Sequence, residues 1–226
     1  ANSKTTEKHL REYWQNNNLI PKGRLTNLPL AEEFLGSERL NTSNDPPIIL
    51  SVGSLEPRKN HISLLKAFTQ LVIEGIWPLN TELVLVGWPN DLRVVNIVER
   101  TLQLGMPLRW EKDADDQILS ELYSKTLFTV FPSFEEGFGL PIAESLWHNR
   151  ICICSNRGAI FELAEKGGCL TLDTTKWQEL KVGMQLLLSD ELLREKLQKE
   201  ILQRPQRTWK DLALEWLNLL NIKLLS

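Results

Sequence analysis

The chain has 226 residues, 42% of them apolar, and a formal net charge of −3. That is enough chain for one good core with appendages, and it leaves no basic footprint for nucleic acid. No uninterrupted apolar run approaches the ~18 residues of a membrane-spanning helix, and the polar start Ala1-Asn2-Ser3-Lys4 is not a signal peptide, so a cytoplasmic chain is expected. Cys152 and Cys154 alternate with Ile151 and Ile153, as in a buried strand. With no second Cys/His pair in view, no metal site is expected.

In chain order, residues 3–16 read as a helix, with Ser3 or Thr5 as its cap and Leu10, Tyr13 and Trp14 on one side. From Asn16 to Pro47 the chain is rich in Asn, Pro and Ser, with a short helical candidate at Leu30 to Leu35, and reads as a connecting arm. From Ile48 strands and helices alternate. Strands are expected at Ile48 to Val52, Leu83 to Val86, Leu108 to Trp110, Phe128 to Phe131, Ile151 to Cys154 and Cys169 to Leu172. Helices are expected at His61 to Glu74, Leu92 to Leu104, Asp116 to Ser124, Pro141 to Trp147, Ile160 to Glu165 and Trp177 to Leu188. Short continuous Val/Ile/Leu runs separated by helices predict an α/β, Rossmann-like doubly wound parallel sheet, with ligands outside the carboxyl ends of its strands. The last stretch, Thr208 to Leu225, sets Trp209, Leu212, Ala213, Trp216, Leu219 and Leu220 on one apolar face. That face either covers its own sheet or meets another partner; the mixed sign of its polar positions disfavours a membrane surface. The expected division is an N-terminal helix and arm at 1–46, the sheet domain at 47–205 and a C-terminal helix at 206–226.

Two loops carry unusual chemistry. Phe131-Pro132-Ser133-Phe134-Glu135-Glu136-Gly137-Phe138-Gly139-Leu140-Pro141-Ile142-Ala143-Glu144 reads as strand, turn and helix start. A backbone that needs Gly137 and Gly139 can bring its N–H groups against a ligand, and the following helix turns its positive end to the same spot. Glu136 and Glu144 stand one on each side of that helix start. Beside an anion site two acids repel phosphate unless they bind something else, and sugar hydroxyls are the candidates. A nucleotide sugar has both groups. A Glu early in a helix also has a plain reading as a dipole partner. The second loop is Gly53-Ser54-Leu55-Glu56-Pro57-Arg58-Lys59-Asn60. Its adjacent cations oppose the dipole of the helix they precede, which fits either an anion held there or a solvated basic turn.

Val52 to Asn60, then Leu83-Val84-Leu85-Val86-Gly87, then Phe131-Pro132-Ser133 with Glu136 and Glu144 resemble, in that order, the nucleotide-sugar-binding half of retaining glycosyltransferases of family 4. The likeness covers roughly residues 47 to 205 and implies one half of a GT-B architecture. It implies a donor site built from Gly53, Ser54, Arg58, Lys59, Glu136, Gly137, Phe138, Gly139, Leu140 and Glu144, with Arg109 and Trp110 near the nucleobase, although a core position fits Trp110 equally. In it Glu136 lies by the donor sugar and acts with Arg58 and Lys59 in catalysis, while Glu144 binds ribose hydroxyls. Glu162 matches a family glutamate, and a helix-cap role fits it equally. The implied donor is a GDP- or UDP-hexose, without cofactor or metal; the Glu56-Pro57-Arg58-Lys59-Asn60 loop resembles mannosyltransferases and leans toward GDP-mannose. Many members carry an arginine where this chain has Ser54, which makes Lys59 the firmer cation. The implied missing partner is an N-terminal acceptor domain, in the same polypeptide or on a separate chain. A sugar-nucleotide epimerase or a phosphorylase shares the architecture, but the Glu136/Glu144 pair speaks against both.

Overall fold

A computed structural model of the chain describes residues 1–20, 25, 29–33, 46–205 and 207–220. Six strands form one parallel sheet: β1 (Ile48–Val52), β2 (Glu82–Val86), β3 (Leu108–Glu111), β4 (Thr126–Phe131), β5 (Ile151–Ser155) and β6 (Cys169–Leu172). Their order is β3-β2-β1-β4-β5-β6. The chain winds outward from β1 in one direction and from β4 in the other, so the strand order reverses between these two neighbours. Helices at such a reversal leave on opposite faces and open a crevice at the carboxyl ends of the strands.

The strand runs are apolar because both faces are covered. Ile49, Leu83 and Leu85 face a cluster with Leu64 and Phe68 of α2 (His61–Ile73) and Val94 and Val98 of α3 (Leu92–Gln103). Their sequence neighbours Ile48, Leu50, Val84 and Val86 point the other way, onto Leu122 and Tyr123 of α4 (Asp116–Lys125). Successive strand residues face opposite sides of a sheet, which produces this split. α5 (Leu140–Trp147) and α6 (Gly158–Ala164) follow β4 and β5, and α7 (Trp177–Ser189) packs along α2. The strands and helices expected between Ile48 and Leu188 all occur, with ends moved by one or two residues. One helix was not expected: α8 (Glu191–Gln203), which caps on Asp190 and buries Leu197 and Ile201. The 193/197/201 apolar spacing and the capping aspartate are a readable helix signal.

Two elements flank the sheet domain. α1 (Lys4–Asn16) is capped by Ser3 and buries none of its own residues. α9 (Trp209–Leu219) starts in a capping box of Thr208 and Asp211, and of its apolar stripe only Leu212 is buried. Trp216 is 51% exposed, and Leu219 and Leu220 are exposed as well. The stripe therefore does not cover the sheet. Of the expected arm, residues 16–20, 25, 29–33 and 46–47 are described. Leu30 to Glu33 are not helical, contrary to the candidate there, because Glu32 N–H bonds Arg207 O and its carboxylate is drawn to Arg204. The rest of that candidate and the expected helix beyond Leu220 lie outside the described residues.

Candidate functional site

The loops after β1 and β4 meet at the strand-order reversal. Gly53 N–H donates to Val86 O at 2.8 Å, and Leu55 N–H to Trp88 O at 2.8 Å, holding the β1 loop to the end of β2. A Cβ on Gly87 would lie 2.2 Å from Gly53 O, so glycine there is what permits the two backbones to touch. Pro57–Lys59 form a single 3₁₀ turn that ends at Asn60, in the left-handed conformation at φ 58°. Asn60 Nδ2 then donates to Thr174 O at 2.7 Å and Pro132 O at 3.3 Å. Phe134 N–H donates to Arg58 O at 2.9 Å. These bonds join the basic loop to the acidic one through the backbone, before any charge is counted.

The charges converge on one oxygen. Glu136 Oε1 accepts from Lys59 Nζ at 2.6 Å, from Arg58 Nη1 at 2.8 Å and from Ser133 Oγ at 2.8 Å. Burial works against the Glu136 carboxylate, but the bonds from Lys59 and Ser133 and the charge of Lys59 outweigh it, so its pKa stays below the usual range. Lys59 is buried over the Phe131 ring, its Nζ 5.0 Å from the centroid. Arg58 is half exposed and also binds Glu56 Oε1 at 2.8 Å, an oxygen shared with Ser54 Oγ at 3.0 Å. Burial opposes the Arg58 charge, and Glu136 and Glu56 together raise its pKa. Behind Lys59, His61 is buried, and burial together with the Lys59 charge lowers its pKa to about 4.

α5 begins at the same edge. Gly139 caps it at φ +102°, a conformation that favours glycine, and Phe138 is buried beside it. Pro141 in the first turn has no N–H to satisfy, and the positive end of α5 faces the loop. Glu144, one turn in, is half-buried. Its Oε2 accepts from Tyr123 Oη at 3.2 Å, and burial raises its pKa above the usual range. The two glutamates of the motif therefore sit in opposite settings: one is saturated by cations, the other is held against a phenol.

α1 lies across the acidic loop. Glu162 of α6 accepts from the N–H groups of Lys4 and Thr5 at 2.9 and 2.7 Å and from the Thr5 hydroxyl, so it caps α1. Thr6 Oγ1 donates to Gly137 O at 3.3 Å, and His9 Nδ1 stands 3.7 Å from Glu135 Oε1. Between α1 and the loop lies a depression of about 570 Å³ bordered by His9, Tyr13, Arg58 and Glu136.

Gly53, Ser54, Arg58, Lys59, Glu136, Gly137, Phe138, Gly139, Leu140 and Glu144 thus all lie on these two loops and the first turns of α5. Arg109 is not brought to them. It bonds Glu111 at 2.6 Å and reaches Glu82, the first residue of β2, at 3.4 Å, and it borders a hollow with Pro46, Ile48 and Leu79 at the amino ends of the strands. Trp110 does reach the carboxyl edge, where its Nε1 donates to Gly87 O at 2.9 Å and Lys112 Nζ lies 4.3 Å from its ring centroid. Sequence reasoning passed over Ser133, Asn60 and Tyr123. The first two stand inside motifs already singled out; nothing in the sequence links Tyr123 to Glu144.

The family described as "Glycosyl transferases group 1" matches residues 36–204. O-antigen chain mannosyltransferase B of Escherichia coli is 31% identical over 173 residues, which is 75% of this chain and 44% of that protein. Serotype-specific mannosyltransferase WbdA of Escherichia coli is 37% identical over 109 residues, 47% of this chain and 13% of that protein. The chain thus spans less than half the length of these relatives. Among solved structures, sucrose-phosphate synthase from Thermosynechococcus elongatus shares the fold at a TM-score of 0.77 and 22% identity, covering 98% of this chain and 57% of that one. The three sequence motifs, the parallel sheet that joins two of them at its reversal point and the match over most of the chain agree: the chain belongs to the glycosyl transferases group 1 family.

Proposed function

We propose that this chain is the nucleotide-sugar-binding half of a retaining hexosyltransferase of family 4 and GT-B architecture, acting on a saccharide or lipid-linked acceptor. One observation carries the reading: Lys59, Arg58, Glu136 and the positive end of α5 converge where the strand order reverses. The diphosphate of the donor would meet the cations and the first amides of α5. The hexose would lie by Glu136 and the ribose by Glu144. As the glycosidic bond breaks, negative charge grows on the leaving phosphate, where Lys59, Arg58 and the helix end stabilise it. Positive character grows on the sugar ring beside Glu136, which also orients the ring. No side chain is assigned as nucleophile, and no metal enters the scheme, because the cation pair supplies the charge. The two mannosyltransferase relatives favour GDP-mannose as donor.

The exposed stripe of α9 and the short span of the chain against its relatives favour a further domain that supplies the acceptor. A second reading follows from the same stripe: the chain is a donor-binding subunit whose partner is a separate polypeptide. Isothermal titration with UDP, GDP, UDP-glucose and GDP-mannose, without metal, tests the donor site. Selective binding of GDP and GDP-mannose is expected; no binding by any of the four overturns the reading. Co-purification of a second polypeptide with the chain in its own host would favour the subunit reading.

A further inference from the structure

Tyr123 is wholly buried on α4, its ring stacked on His148 with centroids 4.7 Å apart and planes within 8°. An apolar site between α4 and α5 accepts phenylalanine as readily as tyrosine, so the hydroxyl needs a separate explanation. It has one. Tyr123 Oη stands 3.2 Å from Glu144 Oε2 and 3.4 Å from the carbonyl of Pro141 in the first turn of α5. Burial and the nearby Glu144 charge keep the phenol protonated, so it acts as a donor. A carboxylate at this depth has two hazards: it can rotate, and it can take up a proton and become a donor itself. The phenol answers both. Its bond engages Oε2, and it favours the charged form against burial. Lys59 also favours that form, while the charge of Asp116 at the start of α4 opposes it.

We infer that Tyr123 is a positioning residue for Glu144, fixing Oε2 so that Oε1 is the oxygen offered to the vicinal hydroxyls of the nucleotide ribose. The inference rests on the donor-site reading above. It assigns to α4, from outside every motif, a part in telling a ribonucleotide from a nucleotide that lacks the diol. Phenylalanine at this position keeps the ring and its stack on His148 and removes only the hydroxyl.

The test uses the whole chain and calorimetry with GDP and 2′,3′-dideoxy-GDP, or with UDP and its dideoxy counterpart if the first titration selects that base. The wild-type chain is expected to favour the ribonucleotide by roughly tenfold, the worth of a charge-assisted bond. Tyr123→Phe should collapse most of that ratio by weakening the ribonucleotide, with the dideoxy nucleotide unchanged. It should also move the acid limit of ribonucleotide binding to higher pH, because Glu144 loses a group that stabilises its charge. A purely structural role would weaken both nucleotides together. A ratio left intact in Tyr123→Phe overturns the positioning role while the donor site stands. A wild-type chain that binds both nucleotides equally overturns the ribose role of Glu144, and Tyr123 falls with it. A chain that binds neither overturns the donor-site reading itself.

Discussion

Glu32 and Glu136 are each held by two basic side chains, and the two are built for different ends. Glu32 is 3% exposed, and its Oε2 accepts from Arg204, itself 0% exposed in its side chain, at 2.6 Å. Arg204 also donates to the carbonyls of Gly167 and Leu163, Lys166 caps the other oxygen of Glu32 at 2.8 Å, and Glu32 N–H donates to Arg207 O at 2.7 Å. Next to it Glu33 receives the N–H and the indole of Trp209, the first residue of α9. The arm, the end of α8 and the start of α9 are locked together around the Glu32–Arg204 pair, which water does not reach, while Lys166 is 42% exposed. Glu136 differs because both of its cations meet on one oxygen and because Arg58, 50% exposed, divides its bonds with Glu56. A sealed pair cannot exchange partners without exposing a buried charge, whereas an open one can give up a bond to an arriving anion. The arm joint is therefore structural, and under the proposed function the Glu136 cluster is where a ligand would compete.

The largest expected effect tests the sealed side. Arg204→Ala leaves Glu32 buried with half its charge compensation and should cost about 3–5 kcal/mol in urea denaturation. A comparable loss from Arg58→Ala would break the contrast. The second prediction concerns His61, behind the open cluster. An unfolded chain binds a proton there near pH 6.5, but the native site resists it until about 4. Stability contributed by neutral His61 is present above pH 6.5 and is lost as pH falls to about 4, by roughly 3 kcal/mol. His61→Gln should flatten that part of the stability–pH curve, and an unchanged slope would refute the assignment. Glu136 has the same sign at lower pH, since its depressed pKa makes its ion pairs fail as the solution becomes more acidic.

The remaining predictions address the ligand. Replacing Arg58 and Lys59 together by Ala should weaken diphosphate binding by at least ~1.5 kcal/mol, the low end for charge-assisted bonds. An unchanged affinity in calorimetry would return that loop to a solvated basic turn. The smallest effect runs in the opposite direction. Glu136→Gln keeps an acceptor for Lys59 but removes the internal charge that neutralises both cations, so inorganic pyrophosphate should bind more tightly, by roughly tenfold. Weaker pyrophosphate binding would mean that the carboxylate holds the cations in place rather than competing for them.

The alternation of strands and helices was legible because a strand covered on both faces must be apolar throughout, as in Leu83 to Val86 and Ile151 to Cys154. That the two loops meet at one edge was legible for a related reason: Gly53, Gly139 and Pro141 mark sharp turns, and turns after parallel strands gather at one edge. Arg109 shows the limit. Its residue type suits a nucleotide site, yet its guanidinium is held on its own edge of the sheet, between Glu111 at 2.6 Å and Glu82 at 3.4 Å. Strand position alone does not say which way a long side chain will lie.

What the sequence determined by itself is the strands and helices of the sheet domain other than α8, their parallel arrangement and the two glycine- and proline-marked loops at its carboxyl edge, since all of these follow from local patterns of apolar residues, glycine and proline. Only the tertiary structure decided that Arg58 and Lys59 already share Glu136, that Tyr123 holds Glu144, and that Glu32 and Arg204 join residues 172 positions apart. Each of these contacts joins residues from different elements, and burial there turns weak surface charges into specific bonds. Local patterns carry no record of such distances.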